Sequence, residues 1–463
     1  MAREFVELNR RATLEVGKPK PKVIAVAPPN GIVVTKEYKT ARTLVEAGYP
    51  VVFVTGKAGS GKSTLIEYLR NTLNRRLAVV APTGVAALNV GGVTIHSLFH
   101  FPPKIHEDED IKLVYDRKLY QKLELLIIDE VSMVRSDLMD SIDKFLRKNR
   151  SNNTPFGGVQ LLLIGDPFQL PPVVQKQEWD VLKAKGYASP YFFSAFSLQK
   201  TSLVPLELTS VFRQKDSFFI DLLDRIRTGD EPDFVIAEVN RQCNQKKPLH
   251  TDITLTCTNA KADQINSEKL QRLTSKEYSF MGTIEGQFSI GYDRLPSPMD
   301  LRLKSGAHAM FTKNDDQGRW VNGSIGIVRE VNQGRIRAEL ISDPPGMICD
   351  VLPATWETYK YSYDPYEDRI VALKVGSYTQ YPLMLAWAVT IHKSQGKTLD
   401  NVLVDIGSGA FAYGQVYVAL SRCRSIQGIS LACPIRITDV KVDPIIKRFY
   451  LALSEINGQN EDI

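Results

Sequence analysis

A chain of 463 residues, 43% hydrophobic and 24% charged, has the length for about two to four domains and enough apolar content for a core in each. Lysine and arginine exceed aspartate and glutamate by 58 to 52, a net charge of +6 that permits a polyanionic partner without demanding one. No apolar run is as long as a membrane span, the N-terminus lacks the apolar core of a signal peptide, and the five widely spaced cysteines form no C-x-x-C pair. A soluble, cytosolic chain with reduced thiols is therefore expected, with no membrane partner, zinc site or disulfide frame.

Residues 1–30 are weakly patterned, and Lys18-Pro19-Lys20-Pro21-Lys22 reads as an extended linker. From Gly31 onward apolar strands alternate with helical patterns. Val51-Val52-Phe53-Val54 reads as a buried parallel strand, and Leu65, Leu69 and Leu73 mark one face of a helix. Between them, Gly56-Lys57-Ala58-Gly59-Ser60-Gly61-Lys62-Ser63 matches G-x-x-x-x-G-K-[ST] in the strand–turn–helix context that the pattern requires. The glycines let the backbone wrap an anion with its N–H groups and the helix N-terminus pointing inward. Gly59, Ser60, Gly61, Lys62, Ser63 and Thr64 are the expected phosphate contacts. Lys62 would reach the β and γ phosphates of a nucleoside triphosphate, and Ser63 would hold magnesium.

Leu77–Val80, Leu125–Ile128 and Leu161–Ile164 repeat the apolar-strand signature, which makes this region a parallel-sheet α/β lobe. Asp129-Glu130 follows one of these strands and would lie at the same sheet edge as the phosphate loop. Asp129 suits magnesium, directly or through water, and Glu130 suits orientation and deprotonation of the attacking water. Gly165-Asp166-Pro167-Phe168-Gln169 ends another strand; alone it is equally an ordinary turn, but with the other two motifs Gln169 becomes a candidate sensor of the γ-phosphate. Phosphoryl transfer needs cations, and Arg213 in LTSVFR and Arg422 in VALSR are the candidates, although each alone reads as a surface or ion-pair residue.

A second α/β series begins near Leu206, with candidate strands at Ile253–Cys257, Ala386–Ile391, Val402–Ile406 and Ile429–Cys433 and no second phosphate loop. Between Lys313 and Thr379 the strands at Trp320–Val331, Arg335–Ile341 and Ile370–Val375 are broken by Gly, Pro, Asp and Asn, as in a small inserted β-barrel. The expected bounds are a first lobe at 31–200, a second at 201–312 and 380–463, and the barrel at 313–379.

Taken in order, GKAGSGKS, APTGVAALNVGGVTIHSLF, LLIIDEVSMV, LLLIGDPFQLPPV, LTSVFRQ, VTIHKSQGKTLD and YVALSRCRS resemble superfamily-one DNA helicases of the 5′-to-3′ class. The similarity is greatest to the petite-integration-frequency (PIF) family and runs from about Thr35 to Ser425. It implies an α/β fold of two RecA-like parallel-sheet P-loop lobes with a small β-barrel inserted in the second lobe. It also implies a monomeric ATP hydrolase that uses ATP and magnesium on single-stranded and forked DNA, the kind of motor used in DNA repair and recombination. By the resemblance, Gln395 and Gly396 approach the γ-phosphate from the second lobe, and Arg213 and Arg422 reach the nucleotide on closure. Pro82, Thr83 and Gly84 would meet a DNA phosphate, and His96, His392 and Lys393 are further DNA contacts, with Asn259 a weaker one. Phe99 and Phe101, stiffened by Pro102 and Pro103, suit either a duplex-separating pin near residues 98–112 or a satellite core.

The family carries a base-reading glutamine upstream of the phosphate loop where this chain has Tyr38. Stacking of Tyr38 on the base and relaxed nucleotide choice are expected from that departure. A translocase or recombination-nuclease motor that does not unwind, and a nucleotide-switched binding module, are the competing functions.

Overall fold

In the computed structural model, residues 32–460 are described apart from 244–252, 289, 292–294, 342–344, 408 and 411. The Lys18–Lys22 linker lies outside them. The chain divides into two units. One holds the described residues up to Val211 with Tyr359–Lys374 and the segment from Asp443; the other holds Phe212–Thr358 and Val375–Val442.

The apolar runs of the first unit become strands buried on both faces. β1 (Val51–Gly56), β4 (Leu125–Ile128) and β5 (Gln160–Ile164) are buried at every position, as expected for the middle of a parallel sheet covered on both sides. With β2 (Leu77–Ala81), β3 (Val93–Thr94) and β6 (Leu203–Leu208) they form a six-stranded sheet in the order β3-β2-β4-β5-β1-β6. All of its pairings are parallel. β6 is an edge strand, which is why it tolerates Pro205 opposite Phe53.

α1 (Lys36–Glu46) is capped by Thr35, whose hydroxyl accepts from Tyr38 N. α2 (Lys62–Thr72) follows the phosphate loop, and α3 (Ser136–Arg150) follows the acid pair. One apolar core contains Phe53, Phe99, Phe101, Phe145 and Phe192; the other lies under α1 and α2 and contains Tyr38, Leu65 and Leu69.

Three segments fall in the first unit although the sequence places them elsewhere. β6 lies beyond the expected boundary at 200 but pairs with β1 along its whole length. Residues 359–374, expected in the inserted barrel, form the outer end of a long hairpin of Ala354–Asp364 and Arg369–Gln380. There Tyr361 Oη accepts from Val79 N (3.2 Å) and Arg76 pairs with Asp368 (2.7 Å). α4 (Pro444–Asn460), expected in the second lobe, buries Phe449 and Leu453 in the first unit's core. In each case the partner is far away in sequence, so local pattern carries no sign of it.

The second unit has a four-stranded parallel sheet in the order Ala388–Thr390, Ile253–Thr256, Val402–Asp405, Ile429–Leu431. All four lie within the expected runs. Around the span of the expected barrel runs a five-stranded antiparallel sheet, in the order Ile348–Val351, Arg335–Leu340, Ile325–Asn332, His308–Phe311, Leu383–Leu385. Phe311, Trp320 and Trp387 fill the core beside it.

Candidate nucleotide and DNA site

Because β4, β5 and β1 are consecutive neighbours and parallel, the three turns that follow them emerge at one edge of the sheet. The topology therefore brings together Lys62 and Ser63, Asp129 and Glu130, and Gln169.

The phosphate loop is shaped by close approach. A Cβ on Gly56 would meet Ser60 Oγ at 2.7 Å and Leu208 O at 2.8 Å, so no other residue fits there. Gly59 and Gly61 have φ of 81° and 85°, and Gly61 is the N-cap of α2. Lys62 Nζ donates to the carbonyls of Gly56 (2.7 Å) and Lys57 (3.0 Å), which holds the ammonium over the loop. Among the described residues Ser60 Oγ is buried without a hydrogen-bond partner, a hydroxyl that an oxyanion in the loop would satisfy.

Asp129 is buried, and its carboxyl is pushed well above the ordinary carboxylate range, first by burial and then by the charge of Glu130; the nearby Lys62 opposes this. A cation beside Asp129 would relieve that penalty. The hydroxyl of Ser63 and the carboxylate of Asp129 are both hard oxygen donors, so the residues present fit magnesium. Glu130 has φ 49° and ψ 43°, a left-handed backbone that a non-glycine residue adopts at a cost of roughly 1–3 kcal/mol. This strained conformation starts the short helix Val131–Met133. On the next turn, Asp166 is fully buried; its Oδ1 accepts from Phe168 N (3.2 Å) and its Oδ2 from Gln169 Nε2 (3.3 Å). Asp166 therefore orients the Gln169 amide, a contact that the sequence motif alone did not bring out.

Tyr38 is not available to a base. It is 1% exposed, packs 5.9 Å from the Tyr68 ring, and its hydroxyl donates to Gly61 O at 2.6 Å. The tyrosine braces the phosphate loop from behind, which overturns the expected stacking. The neighbouring Glu37 accepts from Thr209 Oγ1 (2.6 Å), and this bond holds its carboxyl below the ordinary range.

On the DNA side, β2 leads into Pro82-Thr83-Gly84, all half-buried, with Thr83 Oγ1 accepting from Ala86 N (3.2 Å) at the start of the helix Gly84–Asn89. β3 leads into Ile95–Phe99, where His96 is half-buried and its ring lies 6.3 Å from that of His106. Phe99 is not a pin. It is 1% exposed, and with the buried Phe101 it packs against Phe145 of α3, at centroid distances of 5.3 and 5.8 Å. The satellite-core alternative is the one realised. The loop beyond is fastened to α3: Lys144 to Asp108 (2.6 Å), Lys148 to Ile111 O (2.6 Å), and Asn149 to Lys112 O (3.0 Å) and Val114 N (2.9 Å). It then displays Leu113, 54% exposed, and Tyr115, fully exposed.

In the second unit the two candidate arginines meet at Ser421. Arg213 donates to Thr398 Oγ1 (3.0 Å) and Ser421 O (3.1 Å); Arg422, itself buried, donates to Val418 O (2.9 Å) and Ser421 Oγ (2.8 Å). Burial holds the Arg213 guanidinium below its ordinary value. The turn after Ala388–Thr390 carries His392, whose imidazole is pushed down by burial, then exposed Lys393, half-buried Gln395, and Gly396 at φ 78°. Lys397 in the same turn escaped the sequence reading. Its Nζ lies 3.1 Å from Met310 Sδ, and burial, then the charge of Lys393, pushes the ammonium down to about 8. Asn259 is exposed at the first turn of the helix Asn259–Arg272.

A parallel sheet whose adjacent strands end in a phosphate loop, an acid pair and a sensor amide is the nucleotide-binding fold of the P-loop nucleoside triphosphatases. The model of the PIF1-like helicase family matches residues 36–235. The chain is 35% identical over 419 residues to the human ATP-dependent DNA helicase PIF1 and 33% identical over 414 to that of Xenopus laevis, covering 87% and 86% of this chain. It spans 61% of the length of each of these curated relatives. A Bacteroides Pif1 solved with ADP-AlF4 is 35% identical, with a TM-score of 0.84, over 92% of this chain and 98% of that one. A Bacteroides Pif1 solved bound to single-stranded DNA matches at 36% identity and a TM-score of 0.66 over 92% of this chain and 98% of that one. The chain belongs to the PIF1-like helicase family.

Among the described residues, no helix is long and apolar enough to cross a membrane.

Proposed function

We propose that this chain is an ATP-dependent DNA helicase that moves 5′-to-3′ along single-stranded DNA and opens the duplex ahead of it. The observation that carries the proposal is the adjacency of β1, β4 and β5, which brings the phosphate loop, Asp129-Glu130 and Gln169 to one sheet edge. Lys62 and the loop N–H groups bind the β and γ phosphates, and Ser63 and Asp129 hold magnesium, which when bound neutralises charge on those phosphates. Glu130 orients the attacking water and accepts its proton, and Gln169 senses the γ-phosphate. Arg213 and Arg422 act on the transferring group, and Gln395 and Gly396 on the γ-phosphate. DNA is held at Pro82-Thr83-Gly84, His96, His392 and Lys393, with Asn259 a further contact.

Family members have been solved with single-stranded DNA and at forked duplex DNA, the latter with two coordinating Pif1 helicases. For this chain the single polypeptide is taken as the motor. Burial of Phe99 and Phe101 removes the wedge that the sequence suggested and favours, as a second reading, a translocase that does not unwind. Against it stands Tyr115, exposed on the loop fastened to α3, with Lys112, Arg117 and Lys118 close in sequence.

The test compares duplexes with 5′ and 3′ single-stranded tails, with Lys62→Ala as control. Opening of the 5′-tailed substrate alone is expected. Opening of only the 3′-tailed one overturns the polarity, and ATPase activity without opening of either supports the translocase. In the same assay Tyr115→Ala should slow unwinding and leave DNA-stimulated ATPase intact.

A further inference from the structure

The last helix of the chain reaches the nucleotide machinery. α4 is fastened beneath the sheet by Phe449, which stacks on Phe193 (4.0 Å between centroids, 11° between planes) and lies 5.9 Å from Phe53 of β1. At its start, Asp443 Oδ2 accepts from Tyr191 Oη at 2.6 Å. From this base, the half-buried Tyr450 touches two further elements. Its ring meets Phe168 edge to face at 5.1 Å and 72°, and its hydroxyl lies 2.8 Å from each carboxylate oxygen of Glu207.

One contact adjoins Gln169 and the other lies beside the strand that enters the phosphate loop. Phe168 directly precedes Gln169, and its N–H is held by the same Asp166 carboxylate that holds the Gln169 amide. Glu207 is paired with Thr55, the residue before Gly56 of the phosphate loop. Beyond Glu207 the chain runs through Thr209, which holds Glu37, to Arg213. A ring packed edge-on restricts the turn it touches, and a phenol shared between two carboxylate oxygens fixes the strand it touches.

We propose that Tyr450 is a positioning residue for triphosphate hydrolysis: with Phe168 and Glu207 it sets the turn bearing Gln169 against the strands that bear the phosphate loop. The proposal rests on the ATPase reading given above. Misplacement of a positioned group by as little as an ångström costs catalysis far more than binding, so the loss should fall on kcat.

The experiment uses the full chain, measuring single-stranded-DNA-stimulated ATPase, thermal unfolding, and affinities for ADP and for ADP with aluminium fluoride. Tyr450→Leu is expected to lower kcat about tenfold with KM for ATP within about twofold, and to weaken the aluminium fluoride complex more than ADP alone. Tyr450→Phe keeps the ring and should stay within about threefold of the parent; Glu207→Gln, which keeps the shape of the acceptor, should do the same. Tyr450→Leu and Phe168→Leu combined should lose no more than either alone, as expected of groups acting together. The proposal is overturned by an unchanged kcat in Tyr450→Leu, or by kcat, KM and melting temperature moving together. If Tyr450→Leu does not fold, Phe168→Leu takes its place, and an unchanged kcat in that variant overturns the proposal instead. A parent chain without DNA-stimulated ATPase would sink the functional reading itself, which separates the two failures.

Discussion

The two units each carry a parallel sheet, and the candidate site residues beside the two sheets differ in charge. The first unit's turns present Asp129, Glu130 and Gln169 beside Lys62, with a carboxyl at Asp129 that burial and Glu130 push towards protonation. The second unit presents His392, Lys393 and Lys397 after the strand Ala388–Thr390, and Arg213 and Arg422 elsewhere, with the Arg213, His392 and Lys397 cations disfavoured by burial. The sheet positions whatever the turns carry, and the units differ in a handful of side chains. Among the described residues, only the first unit carries the glycine-rich phosphate-loop pattern.

The largest effects that would break this contrast are catalytic. Lys62→Ala and Glu130→Gln should each lower steady-state ATPase by about 10²–10⁴-fold without loss of fold, and Arg213→Ala should cost about 10²–10³-fold although it removes a cation rather than an acid. Comparable activity in Glu130→Gln and the parent would move the general base elsewhere. Next comes packing. Phe99→Ala should lower the stability of the first unit by about 3–5 kcal/mol in urea unfolding. A selective loss of unwinding at unchanged stability would restore Phe99 to a DNA role.

A smaller effect concerns the base. With the Tyr38 hydroxyl on Gly61 O, ATP and GTP should be used with kcat/KM values within about threefold of each other, a difference under about 1 kcal/mol. Strong ATP preference would mean that another group reads adenine. Smallest is the effect of Lys397. The folded chain releases this proton near 8, whereas the ordinary value is 10.5, so stability rises with pH between the two. Lys397→Met should accordingly raise the melting temperature at pH 7, and the gain should shrink by pH 10. A constant gain would point to packing against Met310 instead.

What was legible in the sequence is what local pattern determines. Apolar runs ending in Gly or Asp marked β1, β4 and β5 and hence the turns that hold Lys62, Asp129, Glu130 and Gln169. Side-chain direction was not legible, because burial of Tyr38 and Phe99 depends on what packs over them from α2 and α3. Nor was the allegiance of β6, the 359–374 hairpin end and α4, since their partners lie far off in the chain: β6 sits against β1 about 150 residues away, and Tyr450 meets Glu207 across a separation of 243. Tyr450 itself carries no motif, and only its contacts bring it to notice.

The return of α4 has a consequence for synthesis. Phe449 and Leu453 are part of the core that also contains Phe53, so that core is incomplete until the ribosome has translated almost the whole described chain. The unit that appears first is therefore closed last. Domains ordinarily fold in the order in which they emerge. Here the second unit's residues are all available before the first unit's final helix, and a nascent chain stalled before residue 443 would expose the aromatic surface of Phe53, Phe192 and Phe193 that Phe449 covers.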